Sequence, residues 1–558
     1  MPAGTQRRRA VVTSNDTVVI GFDALDFEYL DQFAEELPNF RKLRSRGVES
    51  PLQSTMPPWT GSAWPSMYTG TEPGQHGVYD FFDHSEYPDT AAISSRNDVH
   101  QPALWNYLTA DNRPSVVLNL PVTHPAEEME GVLIPGYLAP ENSASSPPSA
   151  RSELSDAIGE DYRIYSSGET ADDGEMKRQG YLDLIDLRER AAVALLTDYE
   201  WDLAILQVQK TDSVFHNFED TASFRQIYQA ADRFLGSVLD TVPESTNIVV
   251  CSDHGIGHKD GYAIYINEIL RQHGFVEETL EGEQASLGES KQQLLEDEQT
   301  KTAEQRGSNS GLLGQTTLAA SSALRTIGIG PADIYSAAGR VGLQPLLESA
   351  VPDGVKQSMA KIVDWRASKA YSRSTAELGI RINLSGREPD GVVPPTNYEA
   401  IRDELIELLE RVETPDGEPA FEFVKRREEI YDGPHVEDAC DIVFLPTDMN
   451  HIIETKLYGR EFVPIDRYDH ERSGVFIAAG PDIQTSTVPE LSLVDVAPFV
   501  LALLGQPVPD RMSGTVPTDL LDLPVSYRRY DGLSFGGAGQ DANGTAEVTD
   551  RLEDLGYL

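Results

Sequence analysis

The chain has 558 residues, more than one hydrophobic core usually organises, so either one large domain with a sizeable insertion or two domains is expected. It carries 91 acidic residues against 45 basic ones, a formal net charge of -46, which argues against binding nucleic acid along an extended groove. Its two cysteines, Cys251 and Cys440, sit in or beside apolar runs and imply no disulfide framework, and no stretch approaches the roughly 18 apolar residues of a membrane span.

Residues 1–15 contain Arg7, Arg8 and Arg9, then a short apolar stretch interrupted by Ser14, Asn15 and Asp16. They read as a flexible N-terminus without the apolar core of a signal peptide. Residues 16–276 read as the first part of an α/β domain. Short β-branched runs that end in acidic or small polar residues predict buried parallel strands at Thr17–Asp23, Ser115–Pro121, Leu203–Gln209 and Asn247–Asp253, and a further one at Val475–Gly480. Helical patterns such as Met176–Thr197 and Ala222–Thr241 separate them, which argues for a sheet sandwiched between helices, with ligands bound beyond the carboxyl ends of the strands. Residues 277–352 are first polar and then rich in Ala and Leu, and read as an inserted helical cap or lid. Over 353–525 the α/β pattern resumes, with a helix at Tyr398–Val412 and a strand at Asp441–Leu445. Residues 526–558, which include SFGGAGQDANG, read as a flexible tail.

Three constellations carry candidate chemistry. Asp212 and His216, in KTDSVFHNF, place a carboxylate and an imidazole one helical turn apart, able to face a single zinc or manganese ion; alone, the pair also fits a helix-surface contact. Asp253 and His254 follow an apolar run abruptly, and Gly255 behind them permits the bend that would turn both side chains to one site. Thr60, in STMPPWTGSAWPSMYTG, stands at an expected helix start, where backbone N–H groups favour an anion; taken locally, a plain N-cap threonine explains it as well.

Together and in this order, GFDALD, PPWTGSAWPSMYTG, GQHGVYDF, TDSVFH, SDHGIGH and YDHERSGVFIAAGP resemble the motif set of the type I phosphodiesterase/nucleotide pyrophosphatase family of the alkaline phosphatase superfamily. KAYSRSTAELGIRINLSGREPDG and LSLVDVAPFVLALLGQPVPDRMSG extend the resemblance over most of Thr17 to Gly514. It implies an alkaline-phosphatase-like, mostly parallel mixed sheet between helices, and a hydrolase acting on phosphoric ester or pyrophosphate bonds. It also implies two divalent metal ions, zinc or manganese, one held by Asp23, Thr60, Asp253 and His254 and the other by Asp212, His216 and His470. His470 enters only through the resemblance, since by itself it reads as a loop histidine. Thr60 is implied as the nucleophile, forming a covalent intermediate on its hydroxyl.

One departure concerns the substrate. Many nucleotide pyrophosphatases carry an asparagine after the nucleophile that helps bind the phosphoryl oxygen, and none follows Thr60 closely here. The Gly61 amide, Lys210 and Arg387 are the candidate replacements. Trp59, Trp64, Tyr68, Phe81 and Phe82 fit either a leaving-group pocket or the core, and His76 and His258 fit either ligand-orienting or structural hydrogen bonds. The alternatives kept open are a phosphomonoesterase or phosphonate hydrolase on the same site, and a non-catalytic descendant that binds phosphorylated ligands. The expected partner is a small phosphorylated substrate. Acidity spread along the whole chain resembles proteins of salt-loving archaea and leads to the expectation of a high-salt cytoplasm, where self-repulsion is screened.

Overall fold

A computed structural model describes residues 16–84, 87, 92–166, 168–169, 171, 173–280, 361–485 and 488–537. The strands that position the site are, in chain order, β1 (Thr17–Phe22), β2 (Val48–Gln53), β3 (Ser115–Leu118), β4 (Gly131–Ile134), β5 (Leu203–Val208), β6 (Asn247–Cys251), β7 (Gly255–Lys259), β8 (Ala370–Tyr371), β9 (Gly379–Ile382), β10 (Phe421–Arg426), β11 (Ile442–Pro446), β12 (Arg467–Glu471), β13 (Ser473–Ala479) and β14 (Leu491–Ser492). The helices used below are α1 (Thr60–Thr69), α2 (Gly174–Asp198), α3 (Lys210–Asn217), α4 (Thr221–Thr241) and α5 (Tyr398–Leu409).

Every residue of β1, β5 and β6 is buried, as expected of Val- and Ile-rich strands covered on both faces. They form the centre of an eight-stranded sheet of order β14-β2-β13-β6-β1-β5-β3-β4. In register, Val19 of β1 lies between Ile205 of β5 and Val249 of β6, so the three strands end level with one another. Helices α2 and α4 pack together against the sheet through Leu184, Leu195, Ile227 and Leu235, all buried in one apolar core.

The run around Val475–Gly480 departs from the expected direction. Strand β13 is antiparallel to both β2 and β6, while the remaining sheet pairings are parallel. The connection explains it. Strand β7 leaves the sheet just beyond the carboxyl end of β6 and pairs with β12, so the chain re-enters at Ser473 from that same edge and must run back. An apolar run buried on both faces carries no directional signal of its own.

A second, smaller sheet of order β8-β9-β11-β10 is antiparallel throughout and has its own core, in which Ile380, Ile382, Val443 and Phe444 pack with Leu405 of α5. The sequence left open whether the chain forms one domain or two, and did not mark this separate core. Glu277–Leu280, taken as the start of the insertion, pairs antiparallel with Lys361–Asp364; the rest of the expected cap (281–352) and the N-terminal 1–15 lie outside the described residues. The beginning of the expected tail packs onto the body: Tyr527–Arg528 pairs with Val508–Pro509, and the Tyr530 ring is buried against Tyr107. An aromatic ring able to bury its face outweighs the turn-rich composition around it. Residues 538–558 lie outside the described residues. No helix among the described residues is long and apolar enough to cross a membrane.

Candidate active site

The carboxyl ends of β1, β5 and β6 converge on one buried point. Asp23 directly follows β1, and its amide continues the strand pairing to the Val208 carbonyl at 3.0 Å. Asp253 and His254 follow β6. Gly255 permits their placement through close approach, since a Cβ there would stand 2.2 Å from the Ser473 carbonyl oxygen where β13 begins. Asp23, Asp253 and His254 are fully buried, and their ligand-type atoms lie within 4.8 Å of one another.

A second set forms beside the first. Asp212 and His216 share one face of α3, which starts two residues after β5, and His216 Nε2 lies 3.2 Å from Asp212 Oδ1. Strand β12 delivers His470, whose Nε2 lies 3.6 Å from Asp212 Oδ1 and 3.2 Å from His216 Nε2. The β7–β12 register places His470 opposite Ile256, and its ring stacks on His254 with centroids 4.0 Å apart, joining the two sets.

Thr60 is the first residue of α1 rather than its cap. Trp59 holds the cap position without a side-chain bond, and the Thr60 hydroxyl turns to Asp23 Oδ1 at 3.3 Å and His254 Nε2 at 3.4 Å. The local N-cap explanation therefore does not describe it. Gly61 is required next to it because the helix start packs on the backbone of Asp80 and Phe81, 2.9 Å from where a Cβ would sit.

The orientation of these groups is set by neighbours that sequence reading missed. Asp23 Oδ2 accepts from Trp64 Nε1 at 3.1 Å and Gln207 Nε2 at 3.0 Å, which leaves Oδ1 for Thr60 and His254. Asp253 Oδ1 accepts from the Ala24 amide at 3.2 Å, turning Oδ2 to His254 Nε2 at 3.3 Å. His254 Nδ1 faces the Gly255 carbonyl at 3.0 Å; a carbonyl only accepts, so Nδ1 carries the proton and Nε2 presents its lone pair to the site. Gln207 could have been found, as a polar residue inside an otherwise apolar strand. Trp64 carried no such mark.

The electrostatics fit a cation. Burial, and then the charges of Asp253 and Asp212, raise the Asp23 carboxyl well above its usual range; burial, with Asp212 adding, pushes Asp253 up to about 8. Neither forms an ion pair with a lysine or arginine among the described residues. Burial, with His470 adding, lowers His254 to about 3, the neutral form a metal requires. In the other set burial opposes ionisation, yet the attraction between partners wins: His216 and His470 hold Asp212 well below its usual range, and Asp212 raises His216. Oxygen and nitrogen donors, convergent and largely buried, fit the donor set of a divalent metal site, and the first set is in addition short of positive charge.

A cavity of about 300 Å³ opens beside the second set, with Trp59, Phe82, His216 and His470 in its wall. Trp59 packs on His470 with centroids 4.9 Å apart, whereas Trp64, Tyr68 and Phe81 are core. Two of the candidate helpers are engaged elsewhere. Lys210 is buried 2.9 Å from Glu169, and Arg387 grips both Asp441 oxygens, at 2.6 and 2.7 Å, in the smaller lobe. His76 is buried between Ser66 and the Val78 amide, and His258 pairs with Asp466 at the surface, so neither touches the candidate ligands.

An α/β sheet of this order, with carboxylates and imidazoles gathered at its carboxyl edge, defines an α/β protein with a candidate metal centre where such sheets bind ligands. The model of the type I phosphodiesterase/nucleotide pyrophosphatase family matches residues 17–315, more than half of the chain, and the chain belongs to that family. The family is metal-dependent and acts on phosphoester and pyrophosphate bonds. Among solved structures, phosphonoacetate hydrolase from Sinorhizobium meliloti 1021, in complex with phosphonoformate, is similar in fold, with a TM-score of 0.53 at 15% identity over 88% of this chain and 96% of that one. Murine ectonucleotide pyrophosphatase / phosphodiesterase 5, in complex with AMP, aligns over 91% of this chain and 100% of its own at 13% identity and a TM-score of 0.48. No curated protein matches the chain in sequence.

Proposed function

We propose that the chain hydrolyses a phosphodiester, pyrophosphate or related bond of a small metabolite, with Thr60 as nucleophile. Two divalent ions, zinc or manganese, would be held by Asp23, Thr60, Asp253 and His254 and by Asp212, His216 and His470. The observation that carries this reading is the Thr60 hydroxyl, buried at a helix start and turned to Asp23 and His254 at 3.3 and 3.4 Å. When bound, the ions would neutralise phosphoryl charge and make a coordinated hydroxyl or water acidic enough to react.

The chain's own residues supply the rest. Trp64 and Gln207 fix Asp23 so that its Oδ1 accepts a hydrogen bond from the Thr60 hydroxyl, which orients that oxygen for attack. The positive end of α1, at Thr60 and Gly61, favours the phosphoryl oxygens in place of the missing asparagine amide. Thr60 attack on phosphorus breaks the bond to the leaving group and gives a phosphothreonine, or, from a diester, a threonine phosphodiester that keeps the other substituent; water then cleaves the bond to threonine and regenerates the hydroxyl. Phosphoryl transfer depends chiefly on such positioning and charge stabilisation.

The test is hydrolysis of bis-(4-nitrophenyl) phosphate and 4-nitrophenyl phosphate by purified protein in molar salt with zinc or manganese, beside Thr60→Ala and Asp212→Ala. Both substitutions are expected to remove most turnover. Undiminished hydrolysis by Thr60→Ala would sink the covalent mechanism, and a preference for the monoester would move the reading to a phosphomonoesterase.

A further inference from the structure

The cavity wall carries a third group of charged side chains that the proposed chemistry does not use. Asp80, His84 and Glu377 bring their ligand-type atoms within 4.8 Å, as a metal site would. This set, however, contains its own cation. Arg373 spans Glu377, with Nε on Oε2 at 2.7 Å and Nη2 on Oε1 at 2.8 Å, so both carboxylate oxygens are already neutralised. The network is an ion-pair scaffold, and two of its members line the cavity: Arg373 and His84.

Both are held with hydrogen-bonding capacity to spare. The Arg373 side chain is only 5% exposed, and its Nη1 makes no hydrogen bond among the described residues. The His84 side chain is 6% exposed; Nε2 lies 2.8 Å from Asp80 Oδ2, while Nδ1 is buried with no hydrogen-bond partner among the described residues. A buried polar atom left unpaired is costly and calls for a group that completes it. The charge of the wall is also unlike that of the chain. Acids outnumber bases 91 to 45 overall, yet the charged cavity residues are Arg373, Lys456 and Arg467 against Glu454 and Asp469. Arg467 and Asp469 pair with each other at 2.9 Å, whereas Lys456, exposed at the rim, has no ion-pair partner among the described residues.

We propose that Arg373, with His84 lining the same wall, forms a subsite for a second anionic group carried by the leaving portion of the substrate, a carboxylate or a phosphate, with Lys456 assisting at the rim. This rests on the phosphoryl-transfer reading, in which the reacting phosphorus lies at Thr60 and the leaving group occupies the cavity. Glu377 and Asp80 act as positioning residues: they fix the guanidinium and the imidazole so that little ordering is left for binding.

The test is equilibrium binding to the full chain bearing Thr60→Ala, with manganese and at one fixed salt concentration. Three non-hydrolysed probes are compared: methyl phenyl phosphate, its 4-carboxyphenyl analogue and its 4-phosphonophenyl analogue. At least one probe bearing the additional anionic group is expected to bind about tenfold more tightly than methyl phenyl phosphate, which has only its diester charge, and which of the two does so distinguishes carboxylate from phosphate recognition. Adding Arg373→Lys, or the charge-balanced pair Arg373→Met with Glu377→Gln, is expected to bring that ratio close to one. Equal affinity for all three probes, or a ratio retained in both variants while their melting curves show them folded, would overturn the proposal. A wild type that hydrolyses no phosphoester would instead count against the function reading, with the binding ratio still deciding the subsite.

Discussion

Asp23, Asp253 and His254 gather as Asp80, His84 and Glu377 do, with ligand-type atoms within 4.8 Å in both sets; the first set is buried throughout, and in the second only His84 is partly exposed. What separates them is the fourth member. Arg373 sits on Glu377 and holds its carboxyl down to about 2 against burial, with His84 contributing. Asp23 and Asp253 have no such partner, and burial raises both. A buried carboxylate must find positive charge or keep its proton, so the first set, with no cation of its own, fits the proposed metal, whereas the second already contains a cation. Residue types and spacing alone do not tell these cases apart.

Several substitutions would break this comparison. Asp23→Asn, which removes a charge and keeps most of the side-chain shape, is expected to lower turnover by about a thousandfold or more. A small effect would place the first set with the second as scaffold. Elemental analysis of purified protein gives the next largest contrast: about two divalent ions per chain, one of them lost in Asp212→Ala and none in Glu377→Gln. A metal content that falls in Glu377→Gln would show that Arg373 does not close that set to cations.

The two sets should also answer pH in opposite directions. In chelator-treated protein, Asp253 keeps its proton up to about 8 when folded but releases it in the ordinary carboxylate range when unfolded. Its contribution to stability is therefore full below that range and is lost as pH rises toward 8, so the metal-free melting temperature should fall over this window. Glu377 works the other way, with a contribution present above the ordinary range and lost as pH falls toward about 2. Metal loading should flatten the first slope and leave the second, which differential scanning calorimetry can measure. The smallest effect is expected from Trp64→Phe, which keeps the ring in the core and deletes the bond to Asp23 Oδ2. Metal affinity should drop by about tenfold while Gln207 still holds the same oxygen. An unchanged affinity would show that Gln207 suffices.

The central strands were legible because β-branched apolar runs bounded by polar residues are a local pattern, and the predicted bounds differ from the observed ones by a residue or two at the ends. Asp23, Asp253 and His254 were legible as candidates for the same reason, since each directly follows such a run. His470 was not, because nothing near it in the chain marks it. Its approach to His216, 254 positions away, depends on the pairing of β12 with β7.

Sequence by itself therefore determined which segments are buried strands and which side chains stand at their ends, because both follow from interactions within a few residues. Only tertiary structure decided the direction of β13, the removal of Lys210 and Arg387 into ion pairs away from the cavity, and the locking of Asp23 by Trp64 and Gln207. It also decided which carboxylates meet a guanidinium. Those outcomes depend on groups far apart in the chain competing for the same buried partners, and the composition of a segment does not record who its partner is.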